Sequence, residues 1–174
     1  MGVFLLLMAA FMLLEPDFNE AAGQYTPTPF STLRAFNSQD LMRFSYQSDL
    51  NIEILTERED ALNWTVLSPN SLHITPGNIE AITTNLSNIR VIFTLQNPPP
   101  LDELGLKEPN VTILLTFIDY SSLLIEVGFQ TPLNNGYYAR IDGEKIVVIP
   151  LGNINQVTAI LQEITGIDNV SEVN

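Results

Sequence analysis

His73 is the one imidazole in the chain, and cysteine is absent. A metal site built on imidazole or thiolate, a Ser-His-Asp relay and a Cys nucleophile all need residues this sequence lacks. A lone His between Leu72 and Ile74 reads as a structural or exposed residue. Carboxylates offer more material. Glu57, Glu59 and Asp60 cluster around Arg58, and Asp102 is followed by Glu103. Paired carboxylates can perform acid-base work or bind calcium, but neither group has the ligand ladder of an EF-hand. They read as a solvated turn and an acidic first turn. Trp64, Tyr137 and Tyr138 could stack against a sugar, a base or a proline. Side chains alternate along a strand, so Tyr137 and Tyr138 point to opposite faces and at most one enters the core. The other is the candidate partner-interface residue, and Trp64 reads as core. No catalytic, cofactor-binding or metal-binding residue is nominated, and no cofactor is expected.

Composition narrows the function classes further. The chain has 174 residues, 45% apolar and 16% charged, enough to bury the core of one domain. Twenty acidic residues against seven basic give a net charge of −13, which opposes nucleic acid and anionic lipid headgroups. Neither G-x-G-x-x-G nor G-x-x-x-x-G-K occurs, so the common nucleotide-phosphate loops are missing. The sequons at Asn63, Asn85, Asn110 and Asn169 matter only in a eukaryotic secretory pathway.

The first residues obey different rules. Gly2 to Leu14 read GVFLLLMAAFMLL, uncharged throughout, with Glu15, Asp17 and Glu20 just beyond. A buried helix of a soluble domain normally keeps a polar side, and this stretch has none. Thirteen helical residues rise about 20 Å against a hydrocarbon core of roughly 30 Å, so a span draws on flanking residues or on a start site further upstream. Ala21 and Gly23 offer small residues for a signal cleavage, but they lie far from Leu14 behind three carboxylates. A retained anchor over 1–14 is the expectation, with a cleaved signal as the alternative. No basic residue precedes Arg34, so nothing holds the rest in the cytoplasm, and the domain is expected on the extracytoplasmic side.

These segments frame the folded part. Residues 15–37 carry prolines at 16, 27 and 29 and read as an extended tether. Residues 38–168 read as one α+β domain and 169–174 as a tail. Met42, Phe44 and Tyr46 alternate with polar residues and lead through 48–51 to Ile52 and Ile54, a hairpin. A short strand runs from Trp64 to Leu67. Thr75 and Pro76 then cap a helix over 76–90, with Ile79, Ile82, Leu86 and Ile89 as its apolar stripe and Glu80, Thr83, Asn85 and Asn88 toward solvent. After Pro98-Pro99-Pro100 a one-turn helix is expected at 101–104, closed by Gly105. Val111 to Ile118 is apolar on both sides, as in a central strand, and Leu123, Ile125, Val127 and Phe129 share one face of the next. Asp142-Gly143 joins strands 137–141 and 146–149. A helix over 153–165 ends at Gly166. The order predicts antiparallel sheets packed with two main helices, with a duplicated sheet-plus-helix unit.

The run LDELGLKEPNVTILLTFIDYSSLLIEVGFQTPLNNGYYARIDGEKIVVIP resembles the bacterial family catalogued as domain of unknown function 4340. The matching elements are Gly105-Leu106, Pro109, Val127-Gly128, Thr131-Pro132 and Gly136-Tyr137-Tyr138, with Trp64 and Pro69 upstream. The likeness covers residues 36–165. Asp119-Tyr120 and Phe129-Gln130 depart from the family pattern. That family has no agreed catalytic residues, so the resemblance transfers none. It implies an N-terminal anchor and an accessory role in a membrane assembly. Together, residues and resemblance lead to a non-catalytic, membrane-anchored extracytoplasmic domain that serves other subunits of a membrane complex. A small-ligand or glycan-binding module is the alternative, and a carboxylate-based hydrolase the least supported.

Overall fold

The computed structural model describes residues 31–166 apart from Asn51 and Leu62. The expected anchor at 1–14, most of the tether and the tail at 169–174 lie outside the described residues. Among the described residues no helix is long and apolar enough to cross a membrane.

Among the described residues eight strands form a single antiparallel sheet rather than several: β1 Leu41–Ser48, β2 Glu53–Arg58, β3 Trp64–Ser68, β4 Phe93–Thr94, β5 Val111–Phe117, β6 Ser122–Gln130, β7 Tyr137–Ile141 and β8 Lys145–Ile149. Their spatial order is β3-β2-β1-β5-β6-β7-β8-β4. Helix α1, Pro76–Ser87, and helix α2, Leu151–Thr165, lie side by side on one face. Each follows an antiparallel meander, and the two meanders meet where β1 pairs with β5.

Local chemistry explains both helices. Thr75 Oγ1 accepts from the Asn78 N–H at 3.2 Å and Asn78 Oδ1 accepts from the Thr75 N–H at 3.0 Å, satisfying donors the first turn leaves open. Ile79, Ile82, Leu86 and Ile89 are all buried, as the stripe requires. Thr83 is buried as well, against expectation, because its hydroxyl donates to the Ile79 carbonyl at 2.7 Å and needs no water. Helix α2 buries Ile154, Val157 and Leu161 and ends at Gly166, whose φ of 66° suits a residue without Cβ. Asp142 and Gly143, at φ 52° and 75°, make the tight turn between β7 and β8.

Four expectations change with the packing. A register shift between Leu41 and Arg43 buries Leu41 and leaves Met42 half-exposed. A second shift between Val127 and Gln130 turns Phe129 out to solvent, away from the face of Leu123, Ile125 and Val127. Residues 101–105 form successive turns and no helix, with Leu106 N donating to Leu101 O at 2.7 Å. Residues 31–37 belong to the domain and not to a tether: Leu33 N donates to Ile89 O at 2.8 Å, and Leu33 and Phe36 pack against the core.

Candidate functional site

The carboxylates and the histidine do not converge. His73 is exposed in the loop before α1. Glu57 pairs with Arg43 at 3.0 Å across β1 and β2. Glu59 accepts from the Thr65 hydroxyl, and Asp60 accepts from Asn63 N and Nδ2 at 2.9 and 2.7 Å, which closes the turn between β2 and β3. Asp102 and Glu103 are exposed in the segment after the three prolines. Asp102 lines a surface cavity of about 510 Å³ with Asp49, Lys107, Glu108 and Phe129. Among the described residues no group of three His, Cys, Asp or Glu side chains could hold a metal ion.

Titration behaviour follows structural bonding. Burial pushes the Tyr46 phenol above its ordinary value, while its hydrogen bond to Thr158 pulls the other way. Hydrogen bonds from Ser121 hold the exposed Asp119 carboxyl below its usual range. The Glu126 partner raises Arg140.

The aromatic candidates separate. Tyr137 lies on the helix side, half-buried, and its hydroxyl donates to Asn155 Oδ1 at 2.8 Å. Tyr138 takes the opposite side and packs, half-buried, against Leu104, Leu106 and Ile146. The expected alternation is present, but neither ring is the freely exposed one; Tyr120 is, at 82%. Trp64 is half-buried rather than fully in the core, with the Arg58 guanidinium 4.7 Å above its ring.

What the fold does assemble is a partly uncovered sheet face. Both helices sit on the other side, where Phe44, Tyr46, Ile113, Leu115 and Ile125 are buried. On this side, residues 95–106 cover only the β6–β8 end, through Leu101, Leu104 and Leu106. Gly128 makes that cover feasible, since a Cβ there would collide with the Leu104 carbonyl oxygen. Among the described residues nothing covers the remainder over β3, β2, β1 and β5. Cross-strand register aligns Leu55, Ser45, Leu114 and Leu124 in one row over four strands. On β3 the row meets Ser68, opposite Leu55, with Leu67 41% exposed at the register shift next to it, and Leu114 is 39% exposed in the middle of the row. Leu114 corrects the reading of β5 as apolar on two covered sides: only Val111, Ile113, Leu115 and Phe117 are covered.

Charge pairs border the row. Arg43 and Glu57 stand on one side, 43% and 37% exposed. On the other, Arg140 forks onto Glu126 through two bonds of 2.6 Å, with both side chains largely buried. A central apolar strip with a polar rim is the anatomy of a protein-protein contact surface. The sequence carried a signal for it in Thr112-x-Leu114-x-Thr116, one apolar residue between two polar ones on the outward side of β5.

No family model, curated protein or solved structure matches the chain.

Proposed function

We propose that the protein is a non-catalytic accessory or scaffold subunit of a membrane complex, anchored through residues 1–14 with its α+β domain on the extracytoplasmic side. The uncovered sheet face, with its leucine row between two ion pairs, is the observation that carries this reading. An apolar row left in water costs free energy that a partner surface recovers on docking. The uncharged GVFLLLMAAFMLL run supports the anchor, and its acidic flank supports translocation of the downstream domain. The two meander-plus-helix halves support a duplicated unit. The likeness to domain of unknown function 4340 supports the accessory role, and its Gly105, Leu106, Gly128 and Tyr138 positions fall where residues 95–106 seat on β6 and β7.

The experiment joins fractionation to site-specific cross-linking. Full-length protein is expected in the membrane fraction and loses it on removal of 1–14. A photo-reactive residue at Leu114 is expected to yield one discrete adduct in intact membranes, while the same residue at Glu144, in the β7–β8 turn, yields none. Intact protein free in the cytoplasm, or no adduct at Leu114, overturns the proposal.

One observation favours a second reading, a module for a small ligand or glycan. Phe36, Asn37, Ser38, Gln39, Glu80, Thr83, Thr84, Ser87 and Asn88 line a groove of about 370 Å³ beside α1, rich in amides and hydroxyls around one carboxylate. Screening the full-length protein against a glycan panel, with Thr84→Trp to fill the groove, tests it.

A further inference from the structure

We propose that the free edge of β3 accepts an extended segment of the partner protein, one whose residues alternate apolar and basic. This rests on the reading of the protein as a partner-binding subunit and specifies how the partner is held. Among the described residues β3 ends the sheet, with β2 as its one neighbour. Five residues of strand offer about 17 Å of backbone, and the outer row of N–H and C=O groups is a template for another strand. β3 has one register shift against β2, at Leu67, leaving Trp64 to Val66 in regular pairing, whereas sheets normally blunt such edges with charge, with proline, with bulges or by shortness. The opposite edge is blunted in the last way: β4 is two residues long. Trp64-Thr65-Val66-Leu67-Ser68 has no charge and no proline within it, and each of its residues keeps contact with solvent.

Two features set the chemistry of the incoming strand. Leu55, at the β2 end of the leucine row, stands opposite Ser68 of β3, and Leu67, 41% exposed, sits at the register shift next to it, so an apolar side chain laid against Leu67 extends the apolar strip. The charge around β3 is acidic. Glu57 lies opposite Thr65, Glu59 accepts from the Thr65 hydroxyl, and Glu53 is exposed further along β2. Arg43 pairs with Glu57, and Arg58, bonded to the carbonyls of Leu41, Ala61 and Ser38, keeps its charge beside Trp64, so the acidic excess at this edge rests on Glu53 and Glu59. Basic side chains complement this edge. A second copy of the chain, at net charge −13, repels it.

The probe is an acetylated nonapeptide of alternating Val and Lys, added to the full-length chain in zwitterionic detergent and followed by amide NMR and hydrogen exchange. Binding is expected to slow exchange at Thr65, Val66 and Leu67. Leu67→Lys is expected to weaken it about tenfold. Leu67→Ser, a milder change, should weaken it to a lesser degree with the thermal unfolding curve retained. A Val-Glu peptide should not bind. The inference is overturned if β3 exchange is unchanged at saturation, or if a peptide of the same composition with Val and Lys in separate blocks binds equally well. It is also overturned if β3 amides become protected with rising protein concentration alone, since that makes a second copy the occupant. An adduct at Leu114 in membranes together with an indifferent β3 removes this inference and leaves the accessory-subunit reading standing.

Discussion

The phenol of Tyr46 on β1 lies 3.0 Å from Thr158 Oγ1 on α2, a side-chain hydrogen bond joining the first meander to the last helix. Burial raises the Tyr46 pKa in the folded state above the ordinary 10.0, with Asp49 and Tyr137 pushing the same way. Above that pH the unfolded chain gives up the phenol proton while the folded chain retains it, so unfolding is favoured. The contribution of Tyr46 is therefore complete below about pH 10 and lost as pH rises through the folded value. Tyr46→Phe is expected to cost about 1 kcal/mol at neutral pH through the lost bond. Denaturant titrations from neutral to alkaline pH should show a flatter decline for the variant than for the parent.

Gly128→Ala should be among the most damaging small changes. Its Cβ would meet the Leu104 carbonyl oxygen and lie 2.9 Å from the Gly105 carbonyl carbon, and these are backbone atoms that cannot rotate away. Displacing residues 101–106 exposes Leu104 and Leu106, at a cost of about 1 to 3 kcal/mol. Thermal unfolding checks it, with Gly152→Ala as the control because nothing lies within 4 Å of its added Cβ.

The two ion pairs on the open face should differ in strength. Glu126→Gln weakens a forked pair whose side chains are 14% and 22% exposed, and is expected to cost about 1 to 2 kcal/mol. Glu57→Gln weakens a single bond between side chains 37% and 43% exposed and should cost under about 1 kcal/mol. Salt should erode the second more than the first. Urea midpoints at low and high ionic strength separate them.

Alanine at His73, Asp102 or Glu103 is expected to leave both unfolding and cellular function unchanged, because each side chain is exposed. Trp64→Ala removes a half-buried ring that packs on the core and supports Arg58, at about 2 to 3 kcal/mol, below the loss for a fully buried Trp. A variant among the first three that keeps its unfolding curve and abolishes function would identify a catalytic residue and overturn the non-catalytic reading.

Where neighbours within a few residues decide structure, the amino-acid order was enough. Thr75, Pro76 and Asn78 start a helix by satisfying one another, Ile79 to Ile89 align because a helix turns every 3.6 residues, and Asp142-Gly143 reverses the chain because Gly tolerates positive φ. Period-two alternation likewise marked β1, β2 and β6. It could say that Tyr137 and Tyr138 part company, though not which layer would receive either. That choice belongs to contacts between residues distant in the chain. The pairing of β4 with β8 rests on two residues too few to show a period. The bulges that expose Phe129 and bury Leu41 depend on partner strands, and the exposure of Leu114 depends on both helices landing on the same side of the sheet. Alternation assigns a side chain to one of two faces. Only the packed layers determine which face is covered: Thr112-x-Leu114-x-Thr116 marked one outward apolar residue in β5, while its alignment into a row over four strands and the place of β3 at the end of the described sheet came from tertiary structure.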